Sequence, residues 1–138
     1  MARKSPELRM YEARKSVYWN AALAALVLIA ALYFRQSADS SPARSSTFAG
    51  IVAGLLSLLD CGRRLARPTI RATASGIRGS LSGFRPFFVS STEIGTPVLR
   101  DHQGMTYVCT SRGRRIAPIE IEDADRAALI EGLERVLS

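Results

Sequence analysis

Apolar positions are distributed along this chain in two ways. Up to Gly62 they come in continuous runs, and beyond Arg67-Pro68 they alternate with polar ones. The first run, VYWNAALAALVLIAALYF at 17–34, holds 18 residues without a charge between Arg14-Lys15 and Arg35. A helix of that length covers about 27 Å, close to the roughly 30 Å of bilayer hydrocarbon. Side chains such as Leu23, Leu26, Ile29 and Leu32 each favour insertion by roughly 0.3–0.6 kcal/mol at the bilayer centre. Tyr18, Trp19 and Tyr33 stand near the two ends, where amphipathic rings settle among headgroups. A transmembrane helix over 17–34 is expected.

The second run, FAGIVAGLLSLLD, is shorter and closes on Asp60. Phe48, Ile51, Val52, Leu55 and Leu59 follow helical spacing on one face, and Ala49, Gly50, Ala53, Gly54 and Ser57 fall on the other. A soluble amphipathic helix would carry charges opposite its large apolar face. Here the opposite face is small and uncharged, which suits a membrane helix that a second backbone can approach, with Gly50 and Gly54 as a small-xxx-small pair. The obvious neighbour is the first helix, rich in alanine from Ala21 to Ala31. A second span over 47–62 is expected, with 35–46, containing Pro42 and several serines, as a short external loop.

A basic start before an apolar run also describes a cleaved secretion signal. Against that, the leader MARKSPELRMYEARKS carries Glu7 and Glu12, the apolar core ends in Tyr33-Phe34-Arg35, and Ala38-Asp39-Ser40 is a poor cleavage site. Arg3, Lys4, Arg9, Arg14 and Lys15 precede the first span, and Arg63, Arg64, Arg67 and Arg71 follow the second. The loop between has only Arg35 and Arg44. Basic flanks on both outer sides predict a multi-pass inner-membrane protein with both termini cytoplasmic.

Residues 68–138 read as short strands. TIRATASGIRG alternates and breaks at Ser75-Gly76, and Phe84 to Ile94 predicts a strand kinked near Pro86. MTYVCT alternates Met105, Tyr107 and Cys109 against Thr106, Val108 and Thr110. SRGR makes a hairpin turn around Gly113, and Pro118 in RIAPIEIE marks an edge strand or bulge. Asp123 is placed as the N-cap of a closing helix whose stripe is Leu129, Ile130, Leu133, Val136 and Leu137. The fold expected is α+β: a basic N-terminus (1–16), a two-helix transmembrane hairpin, and a small antiparallel sheet or partial barrel (68–138) capped by a C-terminal helix.

This order resembles the bacterial pleckstrin-homology-like (PH-like) membrane proteins. RPTIRATASGIRG is similar to that family's first strand, VSSTEI to its polar-acidic-Ile segment, and IEIEDADRAALIEGLERVL to its strand-to-helix ending. The Pro-Trp pair of the family would fall at Ser90-Ser91 and is missing. The resemblance implies a membrane-tethered interaction module with no catalytic residues to carry over.

Net charge is +7. Residues 1–67 hold ten Lys/Arg against four Asp/Glu, whereas 68–138 hold nine against eight. The excess lies beside the apolar runs, where it sets orientation, and no basic face with stacking aromatics points to nucleic acid. His102, the only histidine, sits beside Asp101 in a turn without a nucleophile motif. Cys61 and Cys109 are too few for a structural zinc site, and Gly76, Gly79 and Gly83 lack the lysine a phosphate loop needs. Asp60 is within helical reach of Arg63 and Arg64, which predicts an ion pair at the membrane edge.

No catalytic, cofactor or metal residue is therefore assigned, and an enzyme is not expected. The partners expected are the lipid bilayer and an unidentified protein, with association of copies or subunits through the hairpin, by way of Gly50 and Gly54. An accessory subunit of a larger membrane complex is the alternative function. Arg112, Arg114 and Arg115 at the hairpin tip are candidates for contact with anionic lipid, worth about 1 kcal/mol each near the surface. A solvated turn is the commoner role for such a tip.

Overall fold

The computed structural model describes residues 5–37 and 41–138. Two long helices, α1 (Arg14–Ser37) and α2 (Ser41–Ala66), pack side by side as an antiparallel hairpin. At 24 and 26 residues they extend about 36 and 39 Å. Both are long and apolar enough to cross a membrane, and only 17% and 11% of their most apolar windows are buried inside the chain. That exposure argues against the core helices of a soluble protein, whose large side chains would face inward. Trp19, Leu26, Ile29, Phe48 and Leu59 all stand open instead. The helices reach well into the expected 35–46 loop. Residues 38–40, with the weak cleavage site, lie outside the described residues, as do residues 1–4.

The sheet domain begins before the hairpin. Leu8–Met10 forms β1, and residues 70–137 supply the rest: β2 (Ile70–Thr73), β3 (Gly76–Leu81), β4 (Arg85–Ser90), α3 (Ser91–Ile94), β5 (Val98–His102), β6 (Met105–Cys109), β7 (Arg115–Ile119) and α4 (Arg126–Leu137). Among the described residues these make two antiparallel sheets, ordered β1-β2-β3-β4 and β5-β6-β7. β1 lies on β2 with Leu8 opposite Ala72 and Met10 opposite Ile70. The chain then continues along β7: Glu12 bridges Ile119, Glu120 N–H donates to Tyr11 O (2.9 Å), and Ala13 N–H donates to Pro118 O (3.3 Å). One extended N-terminal segment thus joins both sheets. β7 is an edge strand of its own sheet, where Pro118 is tolerated.

The core fills the space between the sheets with Ile70, Ile77, Val89, Ile94, Val108, Ile119, Leu133 and Val136. α4 closes it, packing on β1, β2 and β5. Three expectations change. The segment Phe84 to Ile94 is not one strand: Ser90 Oγ accepts from Glu93 N–H (3.4 Å) and starts the single turn α3, which drives Ile94 into the core. Asp123 does not cap α4. It opens a 3-10 turn (Asp123–Asp125), and its carboxylate pairs with Arg126 at 3.1 Å. Val108 and Cys109, expected on opposite faces, are both buried, because the β6–β7 register shifts between them and turns the strand locally.

Candidate functional site

Where the hairpin meets the sheets, charged and hydroxyl groups are shut away from water. Glu12, just before α1, is buried with its side chain fully covered, as is Arg64 in the last turns of α2. The Glu12 carboxylate accepts from Ser82 N–H (3.0 and 3.1 Å), Ser82 Oγ (2.7 Å) and Ser16 Oγ (3.0 Å). Arg64 Nε donates to Asp60 Oδ2 at 2.7 Å, and one of its terminal nitrogens lies 3.7 Å from Glu12 Oε2. The guanidinium also donates to the Ser80 carbonyl and to Ser80 Oγ (3.2 Å). Asn20 Nδ2 completes the joint, donating to Ser16 O (2.9 Å) and Ser82 Oγ (2.8 Å). Buried charges persist only when paired and hydrogen-bonded. This joint does both, and it locks α1, α2 and β3 in one arrangement.

The outer face of the four-stranded sheet carries the opposite kind of feature. Arg9 lies directly across from Arg71, and Arg71 directly across from Arg78, so three exposed arginines form a row over β1, β2 and β3. Phe88 on β4, opposite Arg78 and 58% exposed, extends the row. Like charges directly opposite one another destabilise a sheet. Only Glu7 offsets them, 3.5 Å from Arg9 and 3.4 Å from Arg71, and no ion pair to Arg78 forms among the described residues. A shallow hollow of about 530 Å³ lies against Arg71, Arg78 and Phe88. Thr69 Oγ1 at its border is buried without a hydrogen-bond partner. Such a surface can hold carboxylates or phosphates, because guanidinium forks match both geometrically.

The residues singled out from sequence are spread over three places. Gly50 and Gly54 face α1: an added Cβ would stand 3.2 Å from Ala31 Cβ at Gly50, and 3.1 Å from Leu28 Cβ at Gly54. The close approach is therefore made inside the hairpin. Asp60 pairs with Arg63 (3.0 Å) and Arg64 (2.7 Å). Arg112 and Arg114 are exposed in the turn after β6, and Arg115 lies over the Tyr107 ring at 5.4 Å. That turn is at the end of β6 away from the hairpin. The other end, at Gln103, touches α1 through a 2.6 Å bond from Lys15 Nζ. Five residues of strand, about 16 Å, separate the two.

His102 meets Tyr107 edge-on at 6.4 Å, and both cysteines are free and buried. Burial pushes the Cys109 thiol above its usual range, which keeps it protonated and inert. No three His, Cys, Asp or Glu side chains converge as metal ligands among the described residues.

Glu12, Ser82 and the Arg9–Arg71–Arg78 row went unnoticed in the sequence. Part of the row had a signal, since Arg71 and Arg78 are equidistant from the turn at Ala74-Ser75 and must pair if the hairpin is tight. Compared with protein-family models, curated proteins and solved structures, the chain gives no significant match.

Proposed function

We propose that this protein is a membrane-anchored, non-catalytic interaction module. In this reading α1 and α2 cross the inner membrane as a hairpin, both termini are cytoplasmic, and the sheet domain is PH-like. The sheet domain presents the Arg9–Arg71–Arg78 row, with Phe88 beside it, to an acidic segment of a partner protein. The row carries the proposal: three in-register arginines cost the sheet stability, and a bound anionic chain would offset that cost. Several features support the setting. The helices expose apolar side chains along their length, basic residues flank both feet of the hairpin, and seven strands with a closing helix suit the PH-like resemblance.

Two measurements test it. Fusions of a cytoplasm-active and a periplasm-active reporter to residue 138 should give only the cytoplasmic signal; periplasmic phosphatase activity would reverse the topology. Affinity capture of the full-length chain from native membranes should recover a partner that the Arg71→Glu/Arg78→Glu variant loses, while the variant still fractionates with membranes. Equal recovery by both would remove the row from the function. An accessory subunit docking through its hairpin is the alternative, but Gly50 and Gly54 are already occupied by α1. That leaves no small-residue face from this pair for a second protein.

A further inference from the structure

The turn joining β3 to β4 lies against the flanks of both helices rather than away from them. Ser82 is bonded to Asn20 on α1, three residues past the start of the apolar run, so the turn begins about 5 Å beyond the start of the apolar run. Beyond Ser82, Gly83 and Phe84 line a crevice of about 190 Å³ with Leu23, Ala24 and Val27 of α1 and Ser57 of α2. Phe84 is 60% exposed, and Leu23 and Val27 are 47% and 49% exposed. The apolar surface of the tip is thus continuous with that of the helices. The backbone adds a second peculiarity. Gly83 (φ 83°) and Phe84 (φ 57°) are both left-handed, a conformation suited to glycine or asparagine and rarely adopted by a bulky aromatic residue. An aromatic side chain in an unfavourable turn conformation, exposed at the tip, would be a poor choice in water.

We infer that Phe84 is a lipid-inserted wedge: the β3–β4 turn enters the acyl-chain region beside the hairpin and seats the sheet domain directly on the bilayer. The polar groups at that depth already have partners, since Asn20 bonds Ser16 and Ser82, and Ser82 bonds Glu12. Asp60, which also lines the crevice, is paired with Arg63 and Arg64. The exposed Arg85 beside Phe84 is long enough to carry its charge back to the headgroups, so the apolar tip is what meets the acyl chains. Interfacial segments bury their apolar side by about 5–10 Å, which matches the reach of this turn. The seat would hold the Arg9–Arg71–Arg78 row at a fixed height above the headgroups. This inference rests on the hairpin spanning a membrane.

Trp19 is the sole tryptophan and lies on α1, so it reports hairpin insertion independently. The full-length protein and the Trp19→Phe/Phe84→Trp variant are reconstituted separately in phosphatidylcholine vesicles with brominated acyl chains. Quenching of the tryptophan at position 84 to a degree similar to that of Trp19, unchanged on dilution with lipid, supports the wedge. Quenched Trp19 with an unquenched position 84 overturns the wedge and leaves the membrane reading standing. Quenching of neither overturns both. Shielding at position 84 that disappears on dilution assigns Phe84 to contact between copies and also overturns it. Should the tryptophan variant fail to fold, a spin label on Phe84→Cys, with Cys61 and Cys109 replaced by serine, reads the same question. Greater accessibility to oxygen than to a water-soluble nickel chelate is expected, and the reverse would refute insertion.

Discussion

Arg64 is the residue on which the foot of the hairpin depends most. Removing its guanidinium leaves the buried Glu12 without a cation and Asp60 with the exposed Arg63 alone, and breaking a buried pair this way costs about 3–5 kcal/mol. Arg64→Met is therefore expected to lower the midpoint of chemical unfolding in micelles sharply, with Glu12→Gln added in the double variant restoring part of the loss. A smaller electrostatic effect holds α4. The side chains of Arg126 (2.6 Å) and Thr106 (2.8 Å) hydrogen-bond the Asp101 carboxylate and hold its carboxyl below the usual range. A group that binds its proton less tightly when folded stabilises the fold in full above its unfolded value, about pH 4, and loses that contribution as pH falls through the lower folded value. Melting temperatures recorded from about pH 5 down to about pH 2 should fall less steeply for Asp101→Asn than for the natural chain. Of these contacts, only the Asp60 pairs were legible beforehand, because three- and four-residue spacing on a helix dictates them. Glu12 and Ser82 meet across 70 residues, and no local pattern encodes that.

At the scale of elements, packing of the hairpin turns on the absence of two side chains. A Cβ at Gly54 would also stand 3.3 Å from the Ala24 carbonyl, and α1 backbone cannot retreat as a side chain can. Gly50→Leu/Gly54→Leu is expected to pry α1 from α2, at a cost of about 1–3 kcal/mol for each overpacked position. Spin labels at the exposed positions Leu26 and Val52 would read this as a longer interlabel distance, and an unchanged distance would show that the helices can slide past the obstruction. Element existence was largely legible here, because continuous apolar runs and alternating pairs differ in period. Element ends were less so. The β6 bulge and the single turn α3 depend on what the rest of the chain packs against Val108 and Ile94, which the local sequence does not carry.

At the scale of the whole molecule, the N-terminal segment belongs to the sheet domain, although 53 residues of α1, its connection and α2 separate Ala13 from Arg67. β1 is three residues long and its partners lie across the hairpin, so neither alternation nor turn chemistry announces it. A fragment of residues 68–138 would leave the edges of β2 and β7 unpaired and uncover Ile70 and Ile119. It is expected to show little protection from amide exchange. A chain in which a short Gly-Ser linker replaces residues 14–66 keeps β1 and should recover that protection, because packed antiparallel helices bring their ends within about 8–10 Å. Equal protection in both would make β1 dispensable.

The strand pairing across the hairpin also has a temporal meaning. Leu8–Met10 leaves the ribosome early, yet the strand it joins is synthesised only after both helices. If α1 entered a bilayer and α2 failed to return, Met10 and Ile70 would be stranded on opposite sides of the membrane and the sheets could not be sewn together. On the proposed membrane reading, the sheet domain can be completed only once α2 has returned, and a chain caught halfway would present an unfinished edge to proteases.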